Sequence, residues 1–311
     1  MDEDFVLVIG SAGIDVKGRP DSDLNWNESN LGHVRSSVGG VARNIAENLA
    51  RLEVPTRLLT AVGDDPAGQW ILEVCEAAGI DCSDVRRVPD GQTGIYMALL
   101  EPDGELQVAI SDFEIVRHVD SDYLLEHESL FATASMIAID ATLTEHTLDT
   151  LFELAARHQT PVCADPTTPA LASRLCPYIS QLHLVVPNAG ETTALCGLQQ
   201  GAAHDRETAI DTARHLVSMG AKIAVVTLGE QGLAYADGSG GGFIRAIHTE
   251  VVDATGAGDA FSGAVIFGLL NEVPVDEAMR LGVTAASLTL QSRETVLPHI
   301  SQELLYDELA V

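Results

Sequence analysis

The stretch Val251-Val252-Asp253-Ala254-Thr255-Gly256-Ala257-Gly258-Asp259-Ala260-Phe261 holds residue types that can move a phosphoryl group. It reads as a strand, a glycine-rich turn and then an apolar helix. Glycines let backbone N–H groups converge, and a helix start adds positive dipole, so the turn is a candidate anion site. Asp259 falls in the first helical turn, where a carboxylate is stabilised and can take a proton from a hydroxyl. An anion hole beside a base is what phosphoryl transfer to an alcohol requires. Two other glycine patterns fail. A Walker A loop needs a lysine after its second glycine, and none stands in such a place. A dinucleotide fingerprint would need glycine at Phe261, and the first turn, Gly10-Ser11-Ala12-Gly13, departs from it too. A purely structural turn is the weaker reading, because Asp253 and Asp259 flank the glycines.

These residues need a frame to hold them. Residues 5–9 are a continuous apolar run ending in Gly10, the mark of a parallel strand covered on both faces. Further strands are expected at 57–62, 135–139, 161–164, 182–186 and 222–227. Helices are expected at 41–52, 67–78, 145–158, 206–219, 256–270 and 275–290. Strands alternating with helices imply a parallel sheet with helices on both faces. Two segments break the rhythm. Residues 16–38 are polar, glycine-bearing and without helical periodicity, while 95–100 and 106–110 flank Asp103-Gly104 as a hairpin. Together, at about 16–38 and 92–114, they would form a small β-sheet lid over the strand ends. Residues 237–242 read as a flexible turn between two strands.

Two of these motifs resemble the signatures of the ribokinase (PfkB) family of carbohydrate kinases. One is residues 253–259; the other is Gly39-Gly40-Val41-Ala42-Arg43-Asn44-Ile45-Ala46, in the family's order and more than two hundred residues upstream. The resemblance covers essentially the whole chain. It implies a single ribokinase-like catalytic domain over 1–311, an α/β three-layer sandwich with a β lid. It also implies roles. Asp259 matches the catalytic base, and Gly256, Ala257 and Gly258 match the anion hole. Asp15 matches an acid that holds substrate hydroxyls, and Gly39, Gly40 and Asn44 match the turn and amide that approach the sugar. Asn188 and Glu191 match the motif near Mg2+ and the phosphates of ATP, with Glu191 acting indirectly on the metal. Thr227, Gly229 and Gly232 match the loop bordering the nucleotide. Asp253 and Thr255 resemble a site for a monovalent cation such as K+; Ala254, where threonine is common, departs from that pattern. A homodimer through the lid is implied by the same likeness. Each residue also has a plain structural reading: Asp15 as a cap, Asn44 as a solvated helix residue, Asn188 as an Asx turn. The ordered set favours the functional one.

The amino-terminal third narrows the likeness. Residues 10–16, 24–32, 39–49 and 108–112 resemble pseudouridine kinases within the family, which implies a nucleoside whose 5′-hydroxyl is phosphorylated. Asn30 and Asp112 are the lid candidates for the base. Competing expectations are a ribose, adenosine or inosine kinase, or a nucleoside or sugar sensor on the same fold.

Bulk properties exclude other classes. The net charge is −29, from 17 basic and 46 acidic residues, and Lys17 and Lys222 are the lysines. Nucleic acid and anionic lipid need a positive patch, so neither is an expected partner. Adaptation to high salt is one reading of this acidity. The start, Met1-Asp2-Glu3-Asp4, lacks the basic and apolar regions of a secretory signal, so a cytoplasmic location is expected. Five cysteines, with no Cys-x-x-Cys pair, suggest neither a disulfide framework nor a zinc site. Ten histidines show no ligand spacing, and there is no Gly-x-Ser-x-Gly elbow.

Overall fold

The computed structural model describes residues 4–197 and 204–309. Its strands are β1 (Val6–Ile9), β2 (Gly13–Pro20), β3 (Gly32–Gly39), β4 (Thr56–Leu59), β5 (Ala61–Gly63), β6 (Arg86–Val88) and β7 (Gly94–Leu100). They continue with β8 (Leu106–Asp112), β9 (Met136–Asp140), β10 (Val162–Asp165), β11 (Leu182–Val185), β12 (Ile223–Thr227), β13 (Leu233–Asp237) and β14 (Gly240–Ile244). The main sheet runs β14-β13-β12-β11-β10-β9-β1-β4. From β12 to β4 it is parallel, and β13 and β14 add an antiparallel edge.

Alternation along β1 explains the layers. Val6 and Val8 join one core with Ile45, Leu49, Val265 and Leu281, from the helices Val41–Arg51, Ala257–Leu270 and Val275–Leu290. Phe5, Leu7 and Ile9 point the other way and pack with Leu148, Leu151 and Phe152 of the helix Glu145–His158. Each fully buried Leu or Ile contributes roughly 1.5–3 kcal/mol, so the two cores clamp the sheet. This is the three-layer α/β arrangement.

A second sheet, β3-β2-β7-β8, stands apart. It is built from the two segments expected to form a lid. Its register assigns its faces. Asp15 lies beside Ser37 and Tyr96, and Lys17 beside Arg35 and Ala98, all on one face. Val16, Ser36, Met97 and Ile110 share the other.

Three local expectations need correction. The run 57–62 is two strands, because Thr60 leaves the main sheet: β4 pairs with β1, while β5 pairs with β6. Residues 251–253 form no strand. Their amides turn to the end of the helix Val275–Leu290, with Val252 N bonded to Leu290 O at 2.8 Å, so no strand neighbours them. The turn at 237–242 is shorter than its glycines suggest. The Asp237 carboxylate accepts from Ser239 N and Gly240 N, and β14 starts at Gly240.

Candidate active site

The carboxyl ends of the parallel strands share one edge of the main sheet, the usual ligand side of such sheets. Ser11 follows β1, Asp140 ends β9, Asp165 ends β10, Asn188 follows β11 and Thr227 ends β12. The helices Val41–Arg51 and Ala257–Leu270 bring their amino ends to the same edge.

Asp259 is the third residue of its helix and is 8% exposed. Asn44 Nδ2 donates to Asp259 Oδ2 at 2.6 Å, so the two family motifs meet across 215 residues of chain. The helices can come that close because Gly263 lies against Asn48, where a side chain would not fit. Burial pushes the Asp259 carboxyl up to about 7; the Asn44 hydrogen bond opposes this, and the nearby Asp15 and Asp140 charges add to it. Only one oxygen of Asp259 is engaged by Asn44, which leaves a basic atom for a substrate hydroxyl.

The turn ahead of Asp259 is held in an uncommon shape. Gly256 has φ +84°, and a Cβ there would stand 1.8 Å from the Thr295 carbonyl oxygen. Gly258 has open space where its side chain would be. Gly258 is exposed, while Ala257 N reaches Ala254 O at 3.5 Å, so the turn is open to solvent at Gly258.

Asp15 is buried on the inner face of the small sheet. Burial raises its carboxyl to about 6, and the charges of Lys17 and Arg43 restrain the rise. Gly39 is what admits it, since a Cβ at Gly39 would lie 2.4 Å from Asp15 Oδ1. Gly40 leads directly into the Val41–Arg51 helix and so sets Asn44 one turn in.

Asn188 and Glu191 are spent on each other. Asn188 Oδ1 accepts from Gly190 N at 2.9 Å and Glu191 N at 3.0 Å. Glu191 Oε2 accepts from Asn188 N at 2.9 Å, and Oε1 from Asn188 Nδ2 at 2.8 Å. This is a reciprocal capping box on the helix Ala189–Cys196. Thr227 N donates to Pro187 O at 3.0 Å, which sets Asn188 beside the loop of Gly229 and Gly232. The expected nucleotide residues thus gather at β11 and β12, and the expected acceptor residues Asp15, Gly39, Gly40 and Asn44 at β2, the end of β3 and the Val41–Arg51 helix.

The two lid candidates are not brought to this edge. Asp112 pairs with Ile95, which aligns with Ile14, so it lies on the sheet face opposite Asp15. Asn30 closes its own exposed loop, with Oδ1 accepting from Asn25 N at 2.8 Å. Tyr96, half-buried and aligned with Asp15, holds the inner position instead.

Four residues to which the sequence assigned no role also shape the site. Asp140 accepts from Ser11 N, Ser11 Oγ and Ala42 N and so pins the β1 turn to the helix carrying Asn44. Arg43 is buried, ion-paired with Glu47 and bonded to Asn44 Oδ1 at 2.5 Å, which orients the Asn44 amide toward Asp259. Asp165 is raised well above the usual carboxylate range by burial, with Asp259, Glu191 and Asp140 adding repulsion. Lys17 donates to both Asp253 oxygens, at 2.8 and 2.7 Å, and to Thr255 Oγ1 at 2.5 Å. Strand-end position is the sequence signal that could have marked Asp140 and Asp165. None marks the Lys17 pairing, which spans 236 residues.

Metal fit follows from these donors. No group of three or more His, Cys, Asp or Glu side chains among the described residues is set to hold a metal by itself. Mg2+ needs no such cage, since it keeps waters and phosphates with one or two carboxylates. The repelling set Asp165, Glu191 and Asp259 suits a divalent cation arriving with its phosphates. A monovalent cation at Asp253 and Thr255 does not fit, because the Lys17 ammonium fills that donor set.

Residues 3–302 match the pfkB family carbohydrate kinase domain. The chain belongs to that family. It is 33% identical over 301 residues to the pseudouridine kinase of Escherichia coli K12, covering 96% of this chain and 95% of that one. Among solved structures, a carbohydrate kinase from Agrobacterium tumefaciens matches with a TM-score of 0.82 and 26% identity, over 98% of this chain and 96% of that chain. Arabidopsis thaliana ribokinase, solved with ribose and ATP, matches in fold with a TM-score of 0.82, over 99% of each chain, at 20% identity. The fold is therefore ribokinase-like. No helix among the described residues is long and apolar enough to cross a membrane.

Proposed function

We propose that this protein transfers the γ-phosphoryl group of ATP to the 5′-hydroxyl of pseudouridine, giving pseudouridine 5′-phosphate and ADP, in the cytoplasm where ATP is supplied. One observation carries the chemistry: a buried carboxylate, Asp259, hydrogen-bonded by Asn44, in the first turn of a helix that opens on the exposed Gly258. The likeness to pseudouridine kinase along nearly the whole chain supports the acceptor.

In this reading Asp15 accepts hydrogen bonds from the ribose hydroxyls, with Gly39 and Gly40 giving the sugar room. Asn44 holds one Asp259 oxygen, so the other faces the 5′-hydroxyl. Asp259 takes the hydroxyl proton as the new O–P bond forms and the bond to the β-phosphate oxygen breaks. The amides of Gly256, Ala257 and Gly258 receive the charge on the transferred group, in a site that needs no reorganisation. Glu191 and Asp165 would hold Mg2+ arriving with the nucleotide, and the ion would supply neutralisation of phosphate charge. Asn188, Thr227, Gly229 and Gly232 border the nucleotide, with the Asn188–Glu191 box shaping that wall. The inner face of the small sheet, with Tyr96 beside Asp15, covers the acceptor and keeps water out. Its outer face presents Val34, Met97 and Ile110, each more than half exposed, as the dimer surface.

The test is ADP release from Mg-ATP over pseudouridine, uridine, guanosine, adenosine, ribose and fructose phosphates. A strong preference for pseudouridine is expected. Preference for another acceptor would discard the substrate, and silence on all of them would discard the kinase reading.

A further inference from the structure

Lys17 is one of two lysines in a chain of net charge −29. It projects from β2 toward the turn that precedes the anion hole, and its side chain is only 14% exposed. Its ammonium meets three oxygens: both of Asp253 and the hydroxyl of Thr255. Asp253 Oδ1 also accepts from Thr255 N at 2.9 Å, so the carboxylate that holds the ammonium also shapes the turn into Gly256. Burial alone would raise Asp253, yet the Lys17 hydrogen bond and charge, with the Thr255 amide, hold it below the ordinary carboxylate range. The same positive charge restrains Asp15, two residues away on the same sheet face. Arg35, the register partner of Lys17 on β3, pairs with Glu294, so the sheet is tied to the body twice on this face.

An ammonium and a potassium ion share charge and similar size, and carboxylate plus hydroxyl oxygens suit either. The two cannot share one donor set.

We propose that the Lys17 ammonium is the resident cation of the anion-hole turn: it takes the place of a monovalent ion at Asp253 and Thr255, and makes the turn's geometry depend on docking of the small sheet rather than on K+. Lys17 is a positioning residue here. It touches no reacting atom and acts through Asp253 and the backbone of residues 255–258. The proposal builds on the kinase reading, but its physical core is cation occupancy, which can be measured without turnover.

The experiment compares the wild type with Lys17→Ala and Lys17→Met in K+, Na+, ammonium, methylammonium and choline chlorides at one ionic strength. Fixed ionic strength matters because a chain this acidic responds to salt in general. Lys17→Met keeps the apolar stem and removes only the charge. In melting curves the wild type should show no preference for K+ over choline, and the variants should gain about 2 °C or more from K+ or ammonium. In turnover, kcat of the variants should fall by about tenfold or more, and K+ or ammonium should restore it. A wild type that K+ selectively stabilises or activates would overturn the proposal. So would two folded variants in which neither readout responds to any cation. If no acceptor is turned over, the kinase reading fails alone, and the melting comparison still decides this one.

Discussion

Asp259 must be ionised before it can take a proton, and its burial resists that. With its carboxyl near 7 in the free protein, kcat/KM should rise about tenfold per pH unit between about 6 and 7 and level off above it, as a rate profile from pH 5 to 9 would show. Asp259→Asn should lower kcat on the order of 10²–10⁴-fold with acceptor KM little changed. The same burial has a consequence for stability. The folded-state pKa lies above the ordinary 3.8, so the folded protein favours the protonated group. The stability this confers is complete below about pH 4 and is lost as pH rises through 7. Asp259→Asn carries no such charge. It should melt with the wild type near pH 4 and several degrees above it at pH 8. A variant melting lower at pH 8 would mean that Asp259 is held by more than the Asn44 contact.

At the scale of elements, two glycines of one turn should fail in different ways. Gly256 caps the Ala257–Leu270 helix at φ +84°, against the Thr295 carbonyl. Gly256→Ala should therefore cost at least about 2 kcal/mol, read as a lower denaturant midpoint, and activity with it. Gly258 meets nothing where a Cβ would stand. Gly258→Ala should melt like the wild type but lose turnover, because the added methyl would enter the space that the proposed function gives to the phosphoryl group. Loss of activity without loss of stability would separate the anion hole from the fold. The Val41–Arg51 helix adds a second dependency. Arg43 aims the Asn44 amide, and Asp140 ties the start of that helix to β1, so both act on Asp259 without touching a substrate.

Over the whole molecule, charge and one exposed face dominate. A net charge of −29 repels itself in the folded state, and added salt screens it. The melting temperature should rise between 0.05 and about 1 M NaCl; a flat response would sink the reading of the surface as a high-salt adaptation. The outer face of the small sheet, with Val34 75%, Ile110 65% and Met97 51% exposed, is more apolar than an isolated edge sheet tolerates. Light scattering should report a dimer, and Ile110→Glu should shift it to monomer while the Asp259 side of the sheet is untouched. A wild-type monomer would leave that face without its proposed occupant.

What the residue order determined on its own was local. Periodicity and glycine punctuation placed the helices 145–158 and 275–290 to the residue, and the motif glycines placed a turn at Gly256 with Asp259 in the first turn of the helix after it. These are short-range matters of dihedral preference and apolar spacing, so they are written within a few residues. The tertiary structure decided the rest by bringing distant residues together. Register parity turned Asp112 to the outer face and Tyr96 to the inner one, a difference that no count along a single strand could settle. Strand ends far apart in the chain collected Asp140, Asp165 and Asn188 at one edge, where burial, with repulsion from Asp259, Glu191 and Asp140 added to it, makes Asp165 unusual. The closing of the small sheet onto the body set Lys17 against Asp253, converting an expected ion site into a salt bridge. Long-range electrostatics depends on positions in space, and those positions exist only after both sheets have formed.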